Sequence, residues 1–260
     1  MLLLSMVLTA TAGAADNVNN PYKCTHPSYQ VHKVSSSPLV IYIQNFMTPS
    51  ERQHLRQISS STFRRSAVAG NSGAQRVGIR TSQSTSLPPS DPIARCISER
   101  AISFQGFDIH ESQLEPLQLV KYAQTERYDF HTDWLSDPNY VTSFNGGNRQ
   151  SSFFVYVHVS NDTTGGGTNF PLLAAPHDNK WCDLGILECD ELYTNGVTFR
   201  PLEGNAIFWE NLLPESGEGD PRTEHAGLPL TSGDKMGMNI WTRQMPLSEE
   251  ARREDLPVDF

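Results

Sequence analysis

The chain has 260 residues and a formal net charge of −9, with 20 Lys and Arg against 29 Asp and Glu. That length suits one domain of the larger all-β or mixed sort, with ample chain to bury a core. The acidic balance and the lack of a basic stripe argue against a nucleic-acid partner, whose phosphates would need one.

Residues 1–15 are apolar and small, and Ala12-Gly13-Ala14 resembles a signal-peptidase site, so a cleaved secretory leader is expected. No Lys or Arg precedes Lys23, which leaves a truncated membrane anchor as the alternative. The run is too short to span a bilayer, and no stable membrane insertion of the mature domain is expected. Four cysteines suit an oxidising compartment, the endoplasmic reticulum lumen or the exterior. Pairing of Cys182 with Cys189, close in sequence, would leave Cys24 with Cys96; this is one of the three connectivities that four cysteines allow, and free buried thiols are the alternative. Asn161-Asp162-Thr163 is a glycosylation sequon of a kind that chance also produces.

The N-terminal third reads as helical support for a β-core. Thr48-Pro49-Ser50-Glu51 offers an N-cap, a proline at the first helical position and a glutamate at the third, predicting a helix to about Ser60. A second helix starts at Asp91-Pro92, where Ile93, Cys96, Ile97, Ala101 and Phe104 recur at helical spacing before Gly106 stops it. After Leu117 the pattern changes to short β-branched and aromatic runs at 117–123, 152–160, 197–200, 205–210 and 236–243, split by Gly and Asn turns. That spacing predicts a mainly β (α+β) fold, a sandwich or jelly roll. Residues 135–150 and 211–224 are long irregular stretches rich in Gly, Pro, Asn, Asp and Ser, either substrate lids or plain surface loops. No internal repeat, heptad or low-complexity tract is present.

The chemistry concentrates in His131, Asp133, His225 and Lys235. On a strand, residues i and i+2 share a face, so His131 and Asp133 would project into one cavity. A second imidazole from His225 completes a facial triad, and two histidines with one carboxylate leave about three of six octahedral positions open, the donor set of non-haem Fe(II) oxygenases. No His-Glu-x-x-His helix is present to support zinc hydrolysis instead. Lys235 lies between Gly233 and the apolar run 236–241, where an unpaired ammonium is costly to bury. A co-substrate carboxylate would answer that charge.

In order along residues 38–245 stand Arg76-Val77-Gly78-Ile79-Arg80-Thr81-Ser82, Val120-Lys121-Tyr122, the His131/Asp133 pair, Asn145-Gly146-Gly147-Asn148-Arg149, Gly165-Gly166-Gly167-Thr168-Asn169-Phe170-Pro171, Gly204-Asn205-Ala206-Ile207-Phe208-Trp209, His225 and Lys235. This series resembles the catalytic domain of the prolyl 4-hydroxylases, Fe(II)- and 2-oxoglutarate-dependent dioxygenases, in their short form without large N-terminal regions. The resemblance implies a double-stranded β-helix holding Fe(II) on His131, Asp133 and His225. It also implies 2-oxoglutarate anchored by Lys235 and hydrogen-bonded by Tyr122 and Thr168, with O2 as oxidant and ascorbate as reductant. Tyr128, Arg149 and Trp241 match positions that face a peptide, and Arg80 and Ser82 fall in the motif lining its groove. The implied reaction is hydroxylation of a proline, at C4 or C3, in a peptide or protein, with decarboxylation of 2-oxoglutarate to succinate. The same chemistry on a small peptide natural product or another residue, or a metal-binding β-helix module without turnover, are the alternatives.

Departures fall nearer the substrate than the metal. The distance from Tyr156 to Gly165 is two residues longer than the family pattern, so Tyr156 or His158 fills one register. Met236 replaces a tryptophan, Asn239-Ile240 replaces threonine-lysine, and Arg243 stands where histidine is common. Target context and oligomeric state are not legible.

Overall fold

The computed structural model describes residues 22–66, 80–106, 108–174, 179–189 and 196–253. The expected leader at 1–15 and positions 76–79 of the first motif lie outside these residues. The first regular elements are strands β1 (Gln30–Ser36) and β2 (Leu39–Gln44), an antiparallel hairpin turned at Ser37-Pro38. The N-terminal third, expected as helical support for the β-core, thus also supplies two of its strands. The run Leu39-Val40-Ile41-Tyr42-Ile43 alternates between two faces of a sheet, as β-branched residues favour.

Helix α1 (Pro49–Ser59) begins as its cap requires. The Glu51 amide donates to Thr48 Oγ1, and the Thr48 amide donates to the Glu51 carboxylate. Strands β3 (Arg64–Arg65) and β4 (Gln83–Ser86) follow, then helix α2 (Pro92–Gln105), capped by the Asp91 carboxylate and ended at Gly106. The remaining elements are β5 (Gln118–Tyr122), β6 (Tyr128–His131), β7 (Arg149–Val159), β8 (Thr164–Gly165), β9 (Thr168–Phe170), the short helix α3 (Lys180–Asp183), β10 (Val197–Phe199), β11 (Ala206–Glu210), β12 (His225–Gly227), β13 (Leu230–Ser232), β14 (Lys235–Arg243) and α4 (Glu249–Arg253).

Eight strands form the major sheet in the order β1-β2-β11-β7-β14-β5-β4-β3, and four form the minor sheet, β10-β9-β12-β6; β13 and β8 pair separately. The crossovers between the two faces make this the jelly-roll, double-stranded β-helix architecture. Period-two alternation sorts the core. On β7, Phe153, Val155 and Val157 pack outward with Leu55, Ala94, Ile97 and Ala101 of the helices. Phe154 and Tyr156 face inward with Tyr42, Tyr122, Phe170, Phe199 and Trp209. On β14 the even residues Met236, Met238 and Ile240 go to the helical side, which leaves Lys235, Gly237, Asn239 and Trp241 for the inner face.

Two disulfides, Cys24–Cys96 and Cys182–Cys189, realise the pairing set out from the sequence, with no free cysteine among the described residues. The first ties the segment before β1 to α2, where the buried Arg100–Glu51 ion pair also receives it: Arg100 donates to the Thr25 carbonyl at 3.1 Å. Among the described residues, no helix is long and apolar enough to cross a membrane.

Candidate active site

His131 and His225 are brought together by backbone pairing. They are directly opposed in the antiparallel β6–β12 ladder, and their rings stand 4.3 Å apart. Asp133 arrives differently from the sequence expectation. Strand β6 ends at His131, so Asp133 lies past the strand in a bend, and a shared strand face is not what aligns the two. The bend is fixed by other contacts. The Trp134 indole donates to the Asp220 carbonyl, and its ring occupies the space where a Cβ on Gly219 would fall, 2.1 Å away. The Asn148 side chain both donates to and accepts from the Leu135 backbone. The result is a cluster in which Asp133 Oδ1 lies 3.9 Å from His131 Nε2 and Oδ2 lies 3.9 Å from His225 Nε2. The ligand atoms of all three residues fall within 4.8 Å of one another.

Outer contacts orient each donor. Carbonyl oxygens only accept, so His131 Nδ1 donates to the Asp129 carbonyl at 2.8 Å and His225 Nδ1 donates to the Thr223 carbonyl at 3.0 Å. Both Nε2 lone pairs are thereby left for a metal, as histidine ligands require. The His131 ring stacks on Tyr128 at 3.6 Å, and the His225 ring lies between Phe170 and Trp209. Burial, helped by the neighbouring His225, holds the His131 imidazole well below its usual pKa and therefore neutral. Burial pushes the Asp133 carboxyl up, but the two imidazoles, Arg149 and the Ser152 hydroxyl outweigh it and keep the group ionised. Neutral imidazole and ionised carboxylate are the states a divalent metal needs, so the residues fit an Fe(II) ion.

Lys235 opens β14 and is fully buried. Its ammonium donates to the Gly166 carbonyl and sits 4.8 Å from the centre of the Tyr122 ring and 5.9 Å from that of Phe154. Gly166 has a positive φ of 71°, and a Cβ there would lie 2.6 Å from Leu230 Cδ2, so this turn favours glycine. No carboxylate pairs with Lys235 among the described residues, and burial lowers its pKa from 10.5 to about 7. Tyr122 and Phe154, beside that ammonium, line the same narrow pocket as Tyr128, His131, Asp133, Thr168, His225, Asn239 and Trp241. A cation held directly behind two wall residues and a three-donor metal cluster in the same wall fit a metal-chelating dicarboxylate. A larger open cleft of about 320 Å³ lies on the other side of the major sheet, bounded by Leu87, Leu114 and Arg252, and contains none of these groups.

The other residues singled out from the sequence take several positions. Tyr122, Thr168, Tyr128 and Trp241 reach the pocket directly. The Thr168 hydroxyl is 2.7 Å from the Tyr156 hydroxyl. A bulge opposite Met236 and Gly237 breaks the β7 alternation after Tyr156. Tyr156 therefore faces inward, while His158 turns out to Glu203 and Asp234, which resolves the register left open above. Arg149 does not line the pocket. It is buried in a two-pronged pair with Glu115, its guanidinium stacked 3.8 Å from the Trp241 ring centre and donating to the Asp133 carbonyl. Arg80 and Ser82 lie behind the pocket wall: Arg80 donates to Ser82 Oγ at 2.9 Å and rests over Tyr128. Arg243 joins Glu115 from the other side. Of the loops, 211–224 and 135–150 both pack at the Asp133 bend through the contacts above.

Phe154 and Ser152 were not singled out from the sequence. Ser152, Phe154 and Tyr156 alternate on one face of β7, so counting back by two from Tyr156 would have found the first two.

The 2OG-Fe(II) oxygenase superfamily model matches residues 117–243. "Prolyl 4-hydroxylase 2" of Arabidopsis thaliana is 29% identical over 244 residues, covering 93% of this chain and 79% of that protein. "Probable prolyl 4-hydroxylase 4" of the same plant is 30% identical over 215 residues, covering 82% of this chain and 70% of its own length. Among solved structures, the viral collagen prolyl hydroxylase of Paramecium Bursaria Chlorella virus-1, in a 2OG complex, superposes with a TM-score of 0.56 at 20% identity, covering 78% of this chain and 95% of that one. That likeness speaks to the fold.

Proposed function

We infer the reaction from membership: the chain belongs to the 2OG-Fe(II) oxygenase superfamily and, within it, to the prolyl 4-hydroxylases. It is a 2-oxoglutarate-dependent dioxygenase that hydroxylates proline at C4 in a peptide or protein. The observation that carries this reading is a buried, carboxylate-free Lys235 held against Tyr122 and Phe154, two wall residues of the pocket that contains the His131, Asp133 and His225 donors. A module that merely bound metal would gain nothing from such a costly cation.

His131, Asp133 and His225 would hold the metal. When bound, Fe(II) supplies the redox chemistry by which O2 and 2-oxoglutarate become succinate and carbon dioxide while one oxygen atom enters a C–H bond. The chain's own part is binding, orientation and exclusion of water. Lys235 pairs with the distal carboxylate of 2-oxoglutarate, with the Thr168 and Tyr122 hydroxyls beside it. Burial raises the Tyr122 phenol pKa, so it stays a neutral hydrogen-bond donor. Phe154 and Trp241 keep the walls apolar, which strengthens the lysine contact and keeps bulk water from the metal. Tyr128 and Trp241 flank the open side where a peptide would lie, and Arg149 acts through Trp241 and the Asp133 backbone. Arg80 and Ser82 brace Tyr128 and Tyr122 from behind. Ascorbate would return oxidised metal to Fe(II). Residues 38–245 form the catalytic domain, and the two disulfides support a secretory location for it.

The test is succinate formation by the purified chain with Fe(II), ascorbate and 2-oxoglutarate, with and without proline-rich peptides. Peptide-stimulated succinate with a mass gain of one oxygen on proline is expected, and His131→Ala or Asp133→Ala should abolish both. Iron-dependent succinate that no proline peptide stimulates would move the substrate elsewhere. No succinate at all would refute the enzyme reading.

A further inference from the structure

A buried polar chain leads back from the Asp133 carboxylate into the fold. The Ser152 hydroxyl donates to Asp133 Oδ2 at 2.6 Å, and Asn211 Nδ2 donates to Ser152 Oγ at 2.9 Å. Ser152 and Asn211 are both fully buried. Backbone contacts hold Asn211 from two directions: its amide donates to the Gln150 carbonyl at 2.9 Å, and its carbonyl accepts from the Asp220 amide at 2.8 Å. Ser152 is fixed by the β7 pairing opposite Trp209 and Trp241.

The chemistry gives this chain one direction. An ionised carboxylate only accepts hydrogen bonds, and a serine hydroxyl has a single proton to give. The Ser152 proton therefore points at Asp133, and the partner behind it has to be a donor, which the Asn211 amide nitrogen supplies. We propose that Asn211 and Ser152 form a directional donor relay that fixes the Asp133 carboxylate through Oδ2 and so holds it in place beside the His131 and His225 imidazoles. Both are positioning residues, and the inference rests on the metal-site reading above. The relay also joins the loop that starts at Asn211 and leads to His225 with the bend that carries Asp133, so the two ligands outside β6 share one support.

The test is metal affinity, read without turnover. Co(II), a spectroscopic stand-in for Fe(II), is titrated into the full chain and followed by its visible absorption. Ser152→Ala should weaken Co(II) binding by about 10–100-fold, the usual cost of losing an outer-sphere partner, and Asn211→Ala should weaken it in the same direction. Ser152→Thr, which keeps the hydroxyl, should restore affinity to within about threefold of the wild type. The metal-free Ser152→Ala protein should melt within about 5 °C of the wild type, since one buried hydrogen bond is at stake. Wild-type affinity in Ser152→Ala or in Asn211→Ala would overturn the relay, and so would a Ser152→Thr protein that binds as weakly as the alanine variant. A wild-type chain that binds no Co(II) would instead take down the metal site itself, and the relay with it. Should Ser152→Ala fail to fold, the Thr and Asn211 variants still decide the matter.

Discussion

Replacing Lys235 by methionine removes a charge while keeping the length and much of the volume of the side chain. In the folded protein the amine has lost its water and gained no counter-ion, which lowers its pKa from 10.5 to about 7. The sign of the stability effect follows from which state binds protons more tightly. Below about pH 7 both folded and unfolded chains carry the proton, and the whole burial penalty of about 5 kcal/mol is present. Between pH 7 and 10.5 the folded protein sheds the proton first, so the penalty shrinks to about 2 kcal/mol at pH 9. Methionine has no such pH dependence. The stability of Lys235→Met relative to the wild type should therefore fall by about 3 kcal/mol between pH 6 and pH 9, a change of roughly 6–12 °C in the Tm difference for a chain of this size. Scanning calorimetry of the metal-free proteins at the two pH values measures it. In turnover, loss of a charge-assisted contact should raise the 2-oxoglutarate requirement by about 10–100-fold. A Tm difference that is the same at both pH values would refute the buried-cation argument. An unchanged 2-oxoglutarate requirement would refute the anchor.

Glu115→Gln should cost about 3–5 kcal/mol in urea denaturation at pH 7, because it strips the buried Arg149 and Arg243 of their shared counter-ion. Burial raises the Glu115 pKa, but the two arginines outweigh it and hold the group below the usual carboxylate range. Its contribution is thus present above that range and lost as pH falls through the lowered pKa, so the gap between variant and wild type should narrow in acid. Gly237→Ala should raise the KM for 2-oxoglutarate, since a Cβ there would lie 2.3 Å from Phe154 Cζ and displace a ring that stands 5.9 Å from the Lys235 ammonium. Steady-state kinetics would show it, with a stability loss of about 1–3 kcal/mol from overpacking; an unchanged KM would mean the ring has room to yield.

Much of the chain was legible from local chemistry, because the relevant signals are short-range. A reciprocal Thr48–Glu51 cap, an Asp91-Pro92 start and a Gly106 stop each act within one helical turn, and both helices formed where those residues placed them. The spacing of β-branched runs predicted a sandwich or jelly roll, and the family resemblance narrowed it to the double-stranded β-helix that the structure shows. The donor types of the metal cluster and the buried lysine could also be read, since their chemistry is carried by the residues themselves. The β1–β2 hairpin was missed because its apolar run is short, and short runs do not declare their period.

What the sequence could not decide was which side chains a bend, a bulge or a distant partner would redirect. Asp133 meets His131 through a turn pinned by Trp134 and Asn148, contacts made across the fold. Tyr156 rather than His158 faces inward because one extra residue in β7 inverts the face. Arg149 turned from the expected peptide surface to Glu115, since a buried guanidinium must take the nearest buried carboxylate. Residue identity thus determined which chemistry the chain can carry out. Only long-range packing decided where each group points, because orientation is set by partners far away in the sequence.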